Sequence, residues 1–340
     1  MTTTSNFTPV GESKPRIDAR EKVTGVAVYT DDLQFGNALL HARIKRSPHP
    51  HALIKKIDVS KAAALPGVKA VVTGKDFPGY IGLYLQDRFI FCRDRVRYVG
   101  DPVAGVAATS EEIAQQALDL IEVDYEVLPP VLDPEFGASP AAPVIHPDLD
   151  KYVVVNFIFP KAGTNISNHF KLRKGNVEDA WGKCAAIIER TYRIPHIQHV
   201  PLEPHIAISK VDEKGEVTLW TSSQSPFAQR NLIAQSMGLS QSEMRVIAPA
   251  VGGGFGGKAG VSMESLAVAI AMKIKGHPVK VKLTREEEFF TAFVRQGLVA
   301  HFKMGCDKDG KLLAMENCFY WDGGAYTEYG VNIARAAGYS

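Results

Sequence analysis

Two spacings of apolar residues alternate along the chain, one near two residues and one near 3.6. Val26 to Tyr29 and Ala42 to Ile44 read as short strand pieces, and Val103-Ala-Gly-Val-Ala-Ala108 reads as an apolar strand. Ile113, Ala117, Leu118 and Ile121 follow at helical spacing, behind a predicted capping box of Thr109 and Glu112. Glu122-Val-Asp-Tyr-Glu-Val127 then alternates like a half-buried strand. Farther on, His205–Val211 and Glu216–Ser223 predict a hairpin around Lys214-Gly215. Phe227 to Met237 predicts a helix stopped by Gly238. Met244–Ala248 and Val279–Leu283 read as strands, with a helix between them over Val261–Lys275. Thr284 and Glu287 form another predicted capping box, and Val299–Met304 pairs with Lys311–Tyr320 through Asp309-Gly310. Hairpins mixed with packed helices predict an α+β fold.

The pattern divides the chain into two blocks, residues 18–131 and 163–340, and a proline-rich connector over 132–162. Six prolines crowd the stretch from Pro129 to Pro147. Proline fixes φ and removes a donor, so an extended strap is expected there.

Composition narrows the function classes. The 340 residues are 45% hydrophobic and 22% charged, as in ordinary globular proteins. Thirty-nine basic against 37 acidic side chains leave +2, which gives no electrostatic footprint for nucleic acid or an anionic membrane. Cys92, Cys184, Cys306 and Cys318 form no C-x-x-C pair, so neither a zinc ribbon nor an iron–sulfur ligand set is encoded. The start lacks a basic and an apolar region, and no apolar run reaches 18 residues. The expected compartment is the cytoplasm.

The sharpest local feature is Gly252-Gly-Gly-Phe-Gly-Gly-Lys258, between a strand and a helix. Such a loop adopts positive φ or approaches a ligand closely, and N–H groups at a helix start favour an anion. A ligand-free glycine connection is the other reading. Gly252, Gly257 and Lys258 fit G-x-x-x-x-G-K, but Ala259 replaces the Ser or Thr that would hold Mg²⁺. Gly252, Gly254 and Gly257 fit G-x-G-x-x-G, but no acidic residue appears until Glu286. Gln224, at a strand end, is either a polar group facing a cleft or part of a helix-start turn with Ser225 as cap and Pro226 at the first position. His196, His199, Glu203 and His205 resemble a metal set, although Pro195, Pro201 and Pro204 break the helical face. His49 and His51 read as loop residues, and Glu286 to Glu288 as a helix N-terminus.

These signals together resemble the molybdopterin-binding subunit of the xanthine dehydrogenase and aldehyde oxidase family of molybdenum hydroxylases. The first block is similar to its α/β-hammerhead domain through Asp18-Ala-Arg-Glu-Lys-Val-Thr-Gly25, Tyr29-Thr-Asp-Asp-Leu33, Arg46-Ser-Pro-His49, Leu65-Pro-Gly-Val68 and Val96-Arg-Tyr-Val-Gly-Asp-Pro-Val-Ala104. The second resembles the first part of the molybdopterin-binding α+β domain through Leu202-Glu-Pro204, Ser223-Gln-Ser-Pro226, Val251-Gly-Gly-Gly-Phe-Gly-Gly-Lys258, Pro278-Val-Lys280, Thr284-Arg-Glu-Glu287 and Asp322-Gly-Gly-Ala-Tyr326.

The resemblance implies roles. Gln224 corresponds to the glutamine that hydrogen-bonds a molybdenum oxygen ligand. Gly254, Phe255 and Gly256 correspond to the loop closing over the metal and pterin dithiolene. Arg335 lines up with a substrate-orienting arginine, and a plain surface arginine is its alternative. Purine-oxidising members carry a glutamate where Ala259 stands, so xanthine is not the expected substrate; an N-heterocycle, aldehyde or aromatic thioester is. No direct metal ligand is expected among these residues. The family's second cofactor loop and its general-base glutamate have no counterpart up to Ser340, and are expected on another stretch or chain. The implied activity is hydroxylation of a C–H bond with oxygen from water. Electrons would pass to [2Fe–2S] and FAD on partner subunits, with a second molybdopterin-domain chain as a further partner. A non-catalytic, partner-binding fragment and a P-loop-like nucleotide binder are the rival readings, and exposed apolar surface is expected on the chain alone.

Overall fold

The computed structural model describes residues 11–339. A mixed seven-stranded sheet runs through both blocks. Its order is Met244–Ile247, Val217–Thr221, Ile206–Val211, Pro278–Lys282, Leu40–Arg46, Pro102–Ala108 and Val68–Thr73. The blocks join inside this sheet, where Leu40 pairs with Val279 and Ala42 with Val281 in parallel register. Whatever sits on the later strands is thus carried by the same hydrogen-bonded layer as the first block.

The strand Pro102–Ala108 shows why its sequence is apolar throughout: all seven residues are buried. Ala104 and Val106 pack with Ala117 and Leu118 of the helix Glu111–Asp119. Gly105 lies against Ile270 and Phe91, and Ala107 joins the cluster holding the helix Glu264–Met272. A strand covered on both faces reads as a continuous apolar run rather than an alternation. A Cβ on Gly105 would stand 2.7 Å from Ile270 Cδ1, so glycine sets how closely helix and strand approach. Burying Leu266, Val268 and Ile270 contributes about 1.5–3 kcal/mol each.

Several boundaries differ from the sequence reading. Ser110, not Thr109, caps the helix Glu111–Asp119, accepting from the Ile113 N–H. Thr109 instead donates its N–H to Gly67 O, closing the preceding strand. Val26 to Tyr29 is no strand; Tyr29 makes an isolated bridge to Ala250, beyond the end of the strand Met244–Ile247. The helix expected from Val261 begins at Glu264, because the Glu264 carboxylate turns back onto the N–H groups of Ser262 and Met263. Ser225 sits at the cap position of the helix Pro226–Met237 without a side-chain capping bond, while Gly238 ends it with φ 71°. The Thr284–Glu287 capping box forms as expected.

The proline-rich strap includes a short helix, Pro134–Gly137, and packs onto the body. His146 lies between the Ala325 carbonyl at 2.6 Å and the Tyr152 hydroxyl at 3.1 Å. A separate three-stranded sheet pairs Ala186–Ile194, Gly297–Cys306 and Leu312–Asp322. Ile187, Ile188, Tyr192, Leu312 and Met315 are exposed on it. Among the described residues no helix is long and apolar enough to cross a membrane.

Candidate cofactor site

The glycine loop leaves the end of the sheet at Met244–Ile247 and returns against Gln224, just beyond the end of the neighbouring strand Val217–Thr221. Gly253, Phe255 and Gly256 all have positive φ, at 100°, 54° and 95°. For phenylalanine that conformation costs on the order of 1–2 kcal/mol, and its ring stands 73% exposed. The surroundings therefore impose the turn, and the ring is held out from the core.

Gln224 is the imposing group. Its Oε1 accepts the N–H of Gly256 at 3.0 Å and of Lys258 at 3.2 Å. Its own N–H donates to Lys258 O at 3.0 Å. Both side-chain contacts are donors, so the carbonyl end of the amide faces the loop and the NH₂ end faces away. No acceptor among the described residues meets that Nε2. At Gly254 a Cβ would stand 2.4 Å from Gln224 Oε1, and at Gly252 one would stand 2.6 Å from Glu203 Cβ. Both positions need glycine for close approach rather than for φ.

The loop also presents unused donors. Among the described residues no acceptor meets the N–H of Gly253, Gly254 or Phe255. Gly254 is buried, and buried N–H groups without a partner are rare. Successive free N–H groups on a positive-φ turn form a concavity suited to an anionic or electron-rich ligand.

The histidine–carboxylate set is not a metal site: among the described residues no cluster of three or more such ligands could hold an ion. Each member has its own partner. Glu203 pairs with Lys258 at 2.9 Å and accepts the Gly252 N–H at 2.8 Å. His205 lies 2.7 Å from Glu288 and 3.1 Å from Gly257 O. His199 meets the Phe293 carbonyl, and His196 the Asp322 carbonyl. Two of the four, Glu203 and His205, thus touch the loop, as braces rather than ligands. Glu288, read from sequence as a helix N-terminal charge, is turned inward and buried, and the His205 contact holds its carboxyl below the usual range. Lys258 is wholly buried with its ammonium on Glu203, so it cannot serve a phosphate, and the P-loop reading fails. His51 is likewise occupied, between Pro129 O and Arg95.

Ala259 and Arg335 are joined by a run of contacts. The Tyr329 hydroxyl donates to Ala259 O at 3.1 Å, and Tyr329 meets Tyr84 edge to face. Tyr84 in turn meets Phe157, whose ring lies 4.9 Å beneath the Arg335 guanidinium and whose carbonyl accepts from it. Arg335, on the helix Gly330–Tyr339, is therefore anchored to the strap at Phe157.

Sequence reasoning missed Arg88 and Glu328. Arg88 donates to Val261 O, just past the glycine loop, and pairs with Glu328 at 3.1 Å. Burial pushes the Glu328 carboxyl up to about 7 and that of Asp87 to about 6. No pattern around Arg88 signals a partner 240 residues away.

Comparison with known proteins identifies the domain that carries this loop. The sequence matches the molybdopterin cofactor-binding domain over residues 158–340. It matches the aldehyde oxidase and xanthine dehydrogenase α/β-hammerhead domain over residues 24–129. The chain belongs to the xanthine dehydrogenase and aldehyde oxidase family of molybdenum hydroxylases. It corresponds to the front of that family's molybdopterin-binding subunit, with the hammerhead first and the cofactor-binding domain after it.

It is 34% identical over 334 residues to the nicotinate dehydrogenase large molybdopterin subunit of Eubacterium barkeri, covering 98% of this chain and 75% of that one. It is 31% identical over 323 residues to the carbon monoxide dehydrogenase large chain of Afipia carboxidovorans, covering 93% of this chain but 40% of that one. Among solved structures, the aldehyde oxidoreductase of Desulfovibrio gigas superposes with a TM-score of 0.79 at 28% identity, over 90% of this chain and 34% of that one. The chain thus spans three quarters of one relative and well under half of the others.

Proposed function

We propose that this chain supplies the glycine-loop side of the cofactor site in a multi-subunit molybdenum hydroxylase, which oxidises a C–H bond of an N-heterocycle or aldehyde with oxygen from water. The observation that carries this reading is Gln224, whose carbonyl is tied to Gly256 and Lys258 while its NH₂ faces away from the loop. The residues fit a molybdopterin. Three unpaired N–H groups, a close approach that only glycine permits at Gly254, and a free amide donor suit an anionic dithiolene and an oxygen ligand.

When bound, the molybdenum cofactor supplies a two-electron acceptor and the site of oxygen transfer. The chain's residues orient it. The N–H groups of Gly253 to Phe255 would hold it, and the Gln224 NH₂ would donate a hydrogen bond to it. The Phe255 ring excludes water beside it. Donors already aimed where charge develops need no reorganisation at reaction, which is why they lower a barrier.

Arg335 is the proposed substrate-orienting cation, since a guanidinium suits a carboxylate or ring anion. Its stacking on Phe157 is compatible with that role by fixing the plane of the fork. Ala259 lines the substrate pocket, and its methyl offers no hydrogen bond to a purine. The general-base glutamate is proposed to come from a stretch or chain beyond these residues. An iron–sulfur and a FAD subunit in the cytoplasm are the proposed electron acceptors.

The experiment is hydroxylation of N-heterocycles and aldehydes by the purified complex in heavy-oxygen water. Product carrying the label supports the reading, and unlabelled product contradicts it.

A further inference from the structure

One residue touches both ends of the glycine loop. Glu203 donates its N–H to Gly252 O at 3.1 Å and accepts the Gly252 N–H on Oε2 at 2.8 Å. The same Oε2 meets Lys258 Nζ at 2.9 Å, and Glu203 O takes a second bond from that ammonium at 2.8 Å. Gly252 opens the loop and Lys258 closes it, so this one acidic residue spans the whole turn. Lys258 is also the residue whose N–H meets Gln224 Oε1.

The energetics argue that this pair supplies geometry rather than stability. Lys258 is fully buried, and Glu203 Oε1 is buried with no hydrogen-bond partner. Buried ion pairs seldom repay their desolvation, and an unpaired buried oxygen adds a further cost. Replacing such a pair by apolar residues of similar volume is often neutral or stabilising. What the replacement would lose is a fixed distance between the two ends of the loop.

We infer that Glu203, through its ion pair with Lys258, is a positioning residue that sets the glycine loop and thereby aims the Gln224 amide at the cofactor. This rests on the function proposed above for what the amide faces, but the bracing itself is a property of the chain alone. Next to it, His205 grips Gly257 O from the same Leu202-Glu-Pro-His205 segment. Its two ring nitrogens meet two oxygens, Glu288 Oε1 at 2.7 Å and Gly257 O at 3.1 Å. The segment therefore holds the loop through two side chains, and Glu203 is the one that reaches both ends.

The test uses two variants of the full chain, Glu203→Leu combined with Lys258→Met, and Glu203→Gln. The first removes both charges together, so no buried charge is left unpaired. Amide hydrogen exchange is followed without cofactor in peptides covering 252–258 and 264–272. The expected result is exchange about tenfold faster across 252–258 in the double variant, little change at 264–272, and a smaller effect in Glu203→Gln. Unchanged loop exchange, or equal acceleration at 264–272, overturns the proposal, the latter because it marks general loosening.

A second arm measures molybdenum and pterin content of the assembled complex in a cycle with Gln224→Ala. If Glu203 acts through Gln224, the losses are non-additive, the triple variant falling within about twofold of Gln224→Ala alone. Additive losses contradict the inference. Should the wild-type complex bind no molybdopterin, the function proposed above fails, and the exchange arm still decides whether Glu203 positions the loop.

Discussion

Gln224 Oε1 accepts the N–H of Gly256 at 3.0 Å, and that bond settles which end of the amide faces outward. Two substitutions separate its jobs. Gln224→Glu keeps an acceptor for the loop and loses the outward donor. It is expected to leave loop exchange near wild type and to lower kcat of the complex about 10²-fold, the usual scale for one preorganised donor. Gln224→Ala loses both, and should also destabilise the loop by about 1 kcal/mol. Steady-state kinetics beside hydrogen exchange check this, and equal activity in Gln224→Glu and wild type would speak against the donor role.

Ala259 predicts substrate range. Its carbonyl is held by Tyr329 and its methyl is half-buried at the loop's exit. Ala259→Glu is expected to raise kcat/KM for purines relative to a monocyclic N-heterocycle by at least tenfold, because a carboxylate can accept from ring N–H groups where a methyl cannot. An unchanged ratio between the two substrates would place Ala259 outside the pocket.

Gly105 predicts a packing limit. An added Cβ at 2.7 Å from Ile270 Cδ1 and 2.9 Å from Phe91 Cζ cannot be absorbed without movement. Gly105→Ala is expected to destabilise by about 1–3 kcal/mol, and Ile270→Val in the same chain to recover part of that loss. Urea denaturation of both variants measures the coupling. Additive effects would mean that the helix Glu264–Met272 does not set this contact.

Glu328 predicts a pH dependence. Its carboxyl is ordinarily near 4.5 and is raised to about 7 by burial. A raised acid binds its proton more tightly when folded, so its contribution is fully present below about 4.5 and is lost as pH rises toward 7. The loss is on the order of 3 kcal/mol. Arg88, Asp87 and Glu264 are the charged neighbours, and Arg88 opposes the shift. Glu328→Gln should flatten the stability curve between pH 5 and pH 8 relative to wild type, as measured by urea denaturation at each pH. Parallel curves would contradict the assignment.

Local pattern was enough at three places where neighbours in sequence are neighbours in space. The hairpin at Lys214-Gly215, the capping box at Thr284 and the glycine stop at Gly238 all have causes within a few residues. Family resemblance supplied Gln224 and the loop, and the structure brings the two together. What stayed hidden depends on long-range pairing. The parallel match of Leu40 with Val279, the Arg88–Glu328 pair and the inward turn of Glu288 join residues far apart in sequence. The histidines and Glu203 look like ligands because they lie near each other in sequence, whereas folding aims each at a separate backbone or side-chain partner.

The central claim is that Gly252–Lys258 and Gln224 cradle molybdopterin. Gly254→Ala tests it most directly, since the added Cβ would stand 2.4 Å from Gln224 Oε1 and must displace the amide. The measurement is molybdenum and pterin content per chain in the purified complex, beside its thermal midpoint. The account predicts near-stoichiometric cofactor in wild type and at least a tenfold loss in Gly254→Ala, with the midpoint lowered by only a few degrees. Full cofactor content in Gly254→Ala would contradict it.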